Sequence, residues 1–398
     1  MSGESILEAI LAARISFEIT SEIAGAMVAI AATGDSKGLL MTVRDLCLLT
    51  CFAMGVDTLI TQAQSAEPVR VGILGIDNFG SVAYTEFLNR PHAEGVFEGV
   101  RVVAAYPSGS PDYPNSKSLV EQWKAQMLAM YQNPKNPQDA VPPIQMVNSV
   151  EELLQCCDAV MIFSMDGRLH LPQATAVLKA GKRLFISRPL ASSPEDAVAI
   201  LKLAEETKTP CWSSSQHRYS GGFSGMRNHP EVGRVIGCDV YGGWTVDAPD
   251  ADKFTRPLHS LETLYSIMGP GVATVSCTSS STAESMTIVW TDGRMGTYRG
   301  IKQGAVKYSA TVFGEKGVST AGIYGHGVPV NGVVPTDDKY VGYEGLAIEI
   351  AKFLKGGPTP VTPAETLEIF ALMQAAEVSK SQNGGVVPLK TLWKPASP

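Results

Sequence analysis

From Val69 onward the chain alternates short β-branched or apolar runs with helix-length stretches, and this alternation leaves few architectures open. The runs are residues 69–76 (VRVGILGI), 100–106, 144–148, 158–164, 183–187 and 210–215; the intervening helical stretches are 81–89, 117–132, 150–155, 170–180 and 194–208. Strands that alternate with helices predict a parallel sheet covered on both faces, an α/β doubly wound arrangement. The boundaries carry their own signals. Gly181 stands where the fourth helix needs a left-handed residue to stop, and Ser193-Pro194 offers an N-cap followed by proline at the first helical position. With 398 residues, 44% of them hydrophobic, the chain can bury a large core, and its length suggests about two or three domains.

The pattern changes after about residue 220. Residues 232–320 hold strand-like runs joined by turn signals, among them Asp292-Gly293, and one helical stretch from Leu258 to Met268. They predict a C-terminal α+β domain with an open, mostly antiparallel sheet. Helices expected at 343–355 and 363–381 bring the chain back to the first domain, and the Pro/Asn/Gln-rich stretch at 133–143 reads as a surface loop. The expected division is a leader or signal-like segment at 1–66, a doubly wound domain at 67–219 and the α+β domain at 220–398.

Residues 46–56 (LCLLTCFAMGV) form an apolar run about half as long as a bilayer requires, so no membrane span is expected. Counted from Met41, the order of Arg44, this run and the small residues around Thr61-Gln62-Ala63 or Gln64-Ser65-Ala66 resembles a signal peptide. Export or a periplasmic location follows if Met41 is the true start. The alternative is a cytoplasmic protein in which Ile6, Ile10, Ala13, Phe17, Ile23, Met27 and Ile30 mark amphipathic packing helices. The net charge of −7, without a Lys/Arg block, argues against nucleic acid as a partner. Neither the seven cysteines nor the histidines stand at metal-ligand spacing, and no metal site is expected.

The first run ends in Gly75-Ile76-Asp77-Asn78-Phe79-Gly80, a glycine-containing turn between a strand and a helix start, where backbone N–H groups and the helix dipole can hold a pyrophosphate. Gly75 and Gly80 fill the first and third positions of G-x-G-x-x-G. Asp77 fills the second, where a carboxylate is expected to hinder close approach and to set negative charge near phosphate. The second run ends at Tyr106-Pro107-Ser108-Gly109-Ser110 without an acid for the adenine ribose; Asp112 and Lys117 lie further on, so NAD and NADP are not distinguished.

Three segments from Val69 to Leu389 resemble the Gfo/Idh/MocA family of nicotinamide-dependent sugar and inositol oxidoreductases. They are Asp158–His170 with Ala180–Leu190, Leu258–Glu262 with Gly269, and Pro363–Ser381 with Val386–Leu389. The G-x-D turn and Met268-Gly269-Pro270-Gly271 look most like a subgroup of secreted proteins. The resemblance implies a Rossmann-like first domain that binds NAD or NADP through Gly75, Asp77, Asn78, Phe79, Gly80, Ser164, His170 and Arg188. It also implies a small sugar-like substrate and a homo-oligomer formed through the C-terminal sheet. The family's lysine position is Arg188 and its aspartate position is Thr255, while His259 and Glu262 remain. Arginine cannot act as a general base near neutrality. The implied catalytic set is therefore His259 as acid/base, Arg188 as orienting cation and Glu262 three residues along the same helical face. The alternative is a catalytically silent relative that binds carbohydrate or cofactor without turnover. Gln216-His217-Arg218-Tyr219 lies where an open parallel sheet meets its ligands and reads equally well as a surface loop.

Overall fold

The computed structural model describes residues 67–227, 229–244, 250–322, 325–326 and 341–392; the signal-like reading of residues 41–66 and the helical reading of 1–66 lie outside the described residues. The first sheet contains β1 (Val69–Leu74), β2 (Val100–Tyr106), β3 (Gln145–Met146), β4 (Ala159–Ile162), β5 (Arg183–Ser187) and β6 (Cys211–Ser214). Helices α1 (Gly80–Leu88), α2 (Ser116–Ala129), α3 (Val150–Cys156), α4 (His170–Lys179) and α5 (Pro194–Glu206) lie between them. All the pairings are parallel and the order is β3-β2-β1-β4-β5-β6. The strand order therefore reverses beside β1, and the carboxyl ends of β1 and β4 flank the crevice where such sheets bind ligands.

The strands are apolar throughout because both faces are buried. Val71, Ile73, Met161 and Phe185 join one core with α1, whereas Leu74, Val160, Ile162, Leu184 and Ile186 join the other with α4 and α5. Successive side chains go to opposite faces, as a pleated strand requires. The local signals behave as their chemistry demands: Ser193 Oγ accepts the Asp196 N–H at 3.1 Å, and Gly181 takes φ +68°.

The second sheet contains β7 (Val235–Gly243), β8 (Val272–Ser279), β9 (Ala283–Trp290), β10 (Met295–Ile301), β11 (Ser309–Gly314), β12 (Val318–Gly322), β13 (Gly325–His326) and β14 (Val387–Pro388). Its order is β13-β12-β11-β7-β10-β9-β8-β14, with β7 and β10 parallel and the other neighbours antiparallel. Asp292-Gly293 joins β9 to β10, with Gly293 at φ +86°. Buried and exposed residues alternate along β9 and β10 because only one face is covered, by α6 (Leu258–Met268) and α8 (Pro363–Ser381). Helix α7 (Val341–Leu354) returns to the first sheet, where Leu346, Ala347 and Ile350 share a core with Val82 and Phe87 of α1. Among the described residues no helix is long and apolar enough to cross a membrane.

Helix α8 is tied to the end of α6 by one carboxylate. Glu368 Oε1 accepts from the Tyr265 hydroxyl at 2.9 Å and from the backbone N–H groups of Gly271 at 2.8 Å and Val272 at 3.0 Å. Glu368→Ala leaves these three donors, two of them buried and one half-buried, without an acceptor, and each such orphan costs about 1–3 kcal/mol. Urea denaturation should show the variant less stable by about 3 kcal/mol or more. A loss within 0.5 kcal/mol would mean that water replaces the carboxylate without penalty.

Candidate active site

Gly75 makes the turn out of β1 possible. It lies at φ +77°, and a Cβ there would stand 2.2 Å from Ser164 Oγ and 2.6 Å from Ser164 N, so the β1 turn rests directly on the exit of β4. Asn78 then caps α1, its Oδ1 accepting the Gly80 N–H at 2.8 Å. Phe79 packs against Trp123 and Tyr343, at ring distances of 5.3 and 5.5 Å.

Asp77 departs from the expectation drawn from the motif. Its carboxylate is fully buried, accepting from Ser116 Oγ at 2.7 Å and from the Met165 N–H at 2.9 Å. Ser116 Oγ in turn accepts the Ser110 N–H, and Ser110 Oγ accepts the Asp166 N–H. The acid joins the ends of β1 and β4 and the start of α2. Its charge is turned inward and does not oppose a phosphate in the crevice. Asp112, the acid beyond the second strand, is paired with Arg168 at 2.7 Å, and Arg168 also holds Asp166.

His170 is likewise not a surface ligand. It is fully buried, with Nε2 2.9 Å from the Ser164 carbonyl and Nδ1 2.8 Å from the Pro189 carbonyl. The ring packs between the exit of β4 and the exit of β5, where Arg188 stands, and as a neutral imidazole donates to one of the two carbonyls at a time. Its effect on any ligand passes through the backbone of those two residues.

The second half of the site comes from the end of β6 and the start of α6. Ser215 Oγ lies 2.7 Å from His259 Nδ1 and accepts the His217 N–H at 3.2 Å. The His217 and His259 rings are 4.6 Å apart, and Tyr308 lies 4.5 Å from His217 and 5.9 Å from His259. Gly242 in β7 permits this approach, since a Cβ there would meet Ser260 Oγ and the Tyr308 ring at 2.4 Å. Burial lowers the His217 pKa to about 3, with Arg188 adding to the effect. His259 keeps some exposed surface, yet the protein packed around it, then Arg188 and His217, push its pKa well below the ordinary histidine value. Thr255 is buried in the turn before α6.

Glu262 follows His259 on α6, but its side chain turns to Arg218. Arg218 Nε is 2.5 Å from Glu262 Oε2, and Arg218 Nη1 is 2.5 Å from Glu365 Oε1 on α8. Burial pushes the Glu262 carboxyl up while Arg218 pulls it back. Glu262 is thus a partner of Arg218 and not of His259, which corrects its expected place beside the proton-transfer residue. Arg218 and His217 belong to a short buried turn, not to a surface loop. Ser215 and Tyr308 carried no recognised motif; the signal that points to Ser215 is its place at the carboxyl end of β6.

Gly75, Ser164 and Asp77 thus converge at the reversal of strand order, and Arg188, Ser215, His217 and His259 stand at the exits of β5 and β6 and the start of α6. That layout defines a nucleotide-type α/β crevice with a polar cluster at its edge. Residues 69–215 match the model of the Gfo/Idh/MocA family, described as an oxidoreductase family with an NAD-binding Rossmann fold. A 1,5-anhydro-D-fructose reductase from Ensifer adhaerens is 29% identical over 118 residues, which are 26% of this chain and 35% of that protein. The match thus spans about a third of the length of that curated relative. The structure of myo-inositol 2-dehydrogenase from Lactobacillus plantarum superposes with a TM-score of 0.60 at 16% identity, covering 81% of this chain and 99% of that one. GenD2 from gentamicin A biosynthesis, solved in complex with NAD, gives 0.60 at 17% identity over 82% and 97%. At these identities the two structures establish a shared fold.

Two outcomes follow from this geometry. Asp77→Gly removes a buried acceptor from the Met165 N–H and Ser116 Oγ, and should cost about 1–3 kcal/mol in denaturant unfolding, while Asp77→Asn, which keeps an acceptor oxygen, should cost less. For His217, the folded ring binds its proton only near pH 3, whereas the unfolded ring does so near 6.5. Its contribution to stability is therefore complete above about pH 6.5 and is lost as the pH falls toward 3. His217→Gln should flatten that acid limb in melting temperatures measured from pH 7 to pH 4; an unchanged slope would show that the ring protonates freely in the folded protein.

Proposed function

We propose that this protein is a nicotinamide-dependent oxidoreductase that transfers a hydride between NAD(P) and a hydroxyl-bearing carbon of a sugar-like or polyol substrate. The observation that carries the reading is the cluster of Arg188, Ser215, His217 and His259 beside the crevice at the β1/β4 reversal. The crevice fits a dinucleotide: Gly75 lets the turn lie against Ser164, α1 begins there, and the Asp77 carboxylate is withdrawn into hydrogen bonds. When bound, the dinucleotide supplies the hydride acceptor or donor. The chain's own residues manage the proton.

In the tautomer that donates Nδ1–H to Ser215 Oγ, His259 keeps a lone pair on Nε2, and burial holds the ring neutral at pH 7. It then accepts the substrate hydroxyl proton as the carbon gives up its hydride and the carbonyl forms. Arg188 stays charged and stabilises the oxygen while negative charge develops on it. Ser215 fixes the His259 ring through the same hydrogen bond, which is the service a carboxylate partner at position 255 would give. The exchange of a titratable amine for Arg188 also favours a second reading, a relative that binds dinucleotide without turnover.

Protein purified without added cofactor should release a nicotinamide dinucleotide or bind one with a measurable Kd. His259→Asn should lower turnover by about a hundredfold or more, with cofactor affinity unchanged. Because its pKa lies below the usual value, wild-type kcat/KM for alcohol oxidation should stay level from pH 8 to below pH 6.5 before it falls. Turnover that survives His259→Asn would reject the assigned base. Dinucleotide binding without turnover, joined to sugar oxidation gained in Arg188→Lys, would establish the silent relative.

A further inference from the structure

Arg188 is a half-buried guanidinium without a hydrogen-bond or ion-pair partner among the described residues. It lies close enough to His217, His259, Tyr84 and Tyr308 to act electrostatically on all four. Its position is firm, because the carbonyl of the next residue, Pro189, is held by His170. Two acids of the neighbouring helices are already committed: Glu262 and Glu365 both pair with Arg218. The two histidines are neutral near pH 7, and Ser215 and Tyr308 add no charge. Among the described residues the polar cluster therefore presents one fixed positive charge and nothing of its own to balance it.

A lysine in that place can lose its proton when a cationic ring or an apolar substrate comes near. Arginine cannot, and a partly desolvated cation without a counter-charge is costly. The oxidised nicotinamide ring is itself cationic, so its approach adds to the imbalance. A planar, bidentate donor of this kind matches a carboxylate.

We infer that Arg188 receives a carboxylate of the substrate, and that the substrate class is a sugar acid, an aldonate or uronate whose reacting hydroxyl lies toward His259. The inference rests on the oxidoreductase reading for the identity of the reacting carbon. The carboxylate contact itself rests on the unpaired guanidinium. The same anion chemistry is offered by the cofactor's phosphates, and the test separates the two sources.

The full chain is titrated by calorimetry, with and without NAD or NADP, against the pairs glucuronate and glucose, galacturonate and galactose, and gluconate and sorbitol; turnover is measured on the same pairs. At least one acid should bind or turn over about tenfold or more better than its neutral partner, the scale expected for a charge-assisted bidentate contact. Arg188→Met should erase that difference in affinity, and Arg188→Lys should restore part of it; since Arg188 also faces the reacting oxygen, the variants are compared by binding and not by turnover. Acid binding that depends on Arg188 without any turnover would uphold this inference and remove the oxidoreductase reading. Equal affinity for acid and neutral partners, no binding of any acid, or a loss of dinucleotide affinity in Arg188→Met as large as the loss for acids would overturn it, the last placing the guanidinium on a cofactor phosphate.

Discussion

The buried ion triad of Arg218, Glu262 and Glu365 is the contact on which the rest of this molecule turns. Arg218 follows His217 in the turn after β6, Glu262 lies three residues beyond His259 on α6, and Glu365 stands in the first turn of α8. One guanidinium thus sets the parallel sheet, the helix bearing the candidate base and the closing helix in a single register. One buried carboxylate and one half-buried one share this cation, and a lone buried guanidinium would need them; removal of one member from a buried pair typically costs about 3–5 kcal/mol. The closeness of Ser215 and His259 depends on this, since Ser215 and His259 each stand three residues from a member of the triad.

Two charged residues at the strand exits have opposite structural meanings. The Asp77 acid is absorbed into a buried hydrogen-bond chain through Ser116, Ser110 and Met165. Arg188 is absorbed by nothing among the described residues. The first fastens the scaffold, and the second sets the charge that a ligand meets. Both turn on whether the neighbourhood supplies a partner, which the identity of the residue alone does not reveal.

The fold was largely legible in the sequence, and the site only in part. Strand and helix order followed from periodicity because sheets buried on both faces need unbroken apolar runs, and α6 and α8 were readable over their whole lengths. Local chemistry was legible too: Ser193, Gly181 and Asp292-Gly293 act within three residues of themselves. What was not legible are contacts between distant segments. His259 finds Ser215 across 44 positions, and Asp77 finds Ser116 across 39 and Met165 across 88. The shared helical face of His259 and Glu262 was correct, but Arg218, from another element, decided where Glu262 points.

The placement of His170 bears on how such a chain can change over generations. Because its ring grips the carbonyls of Ser164 and Pro189, the main chain around position 188 is held without any help from the side chain at 188. That side chain is an exchangeable fitting on a fixed mount. A change of side chain there alters the charge that a ligand meets and leaves this main-chain contact in place.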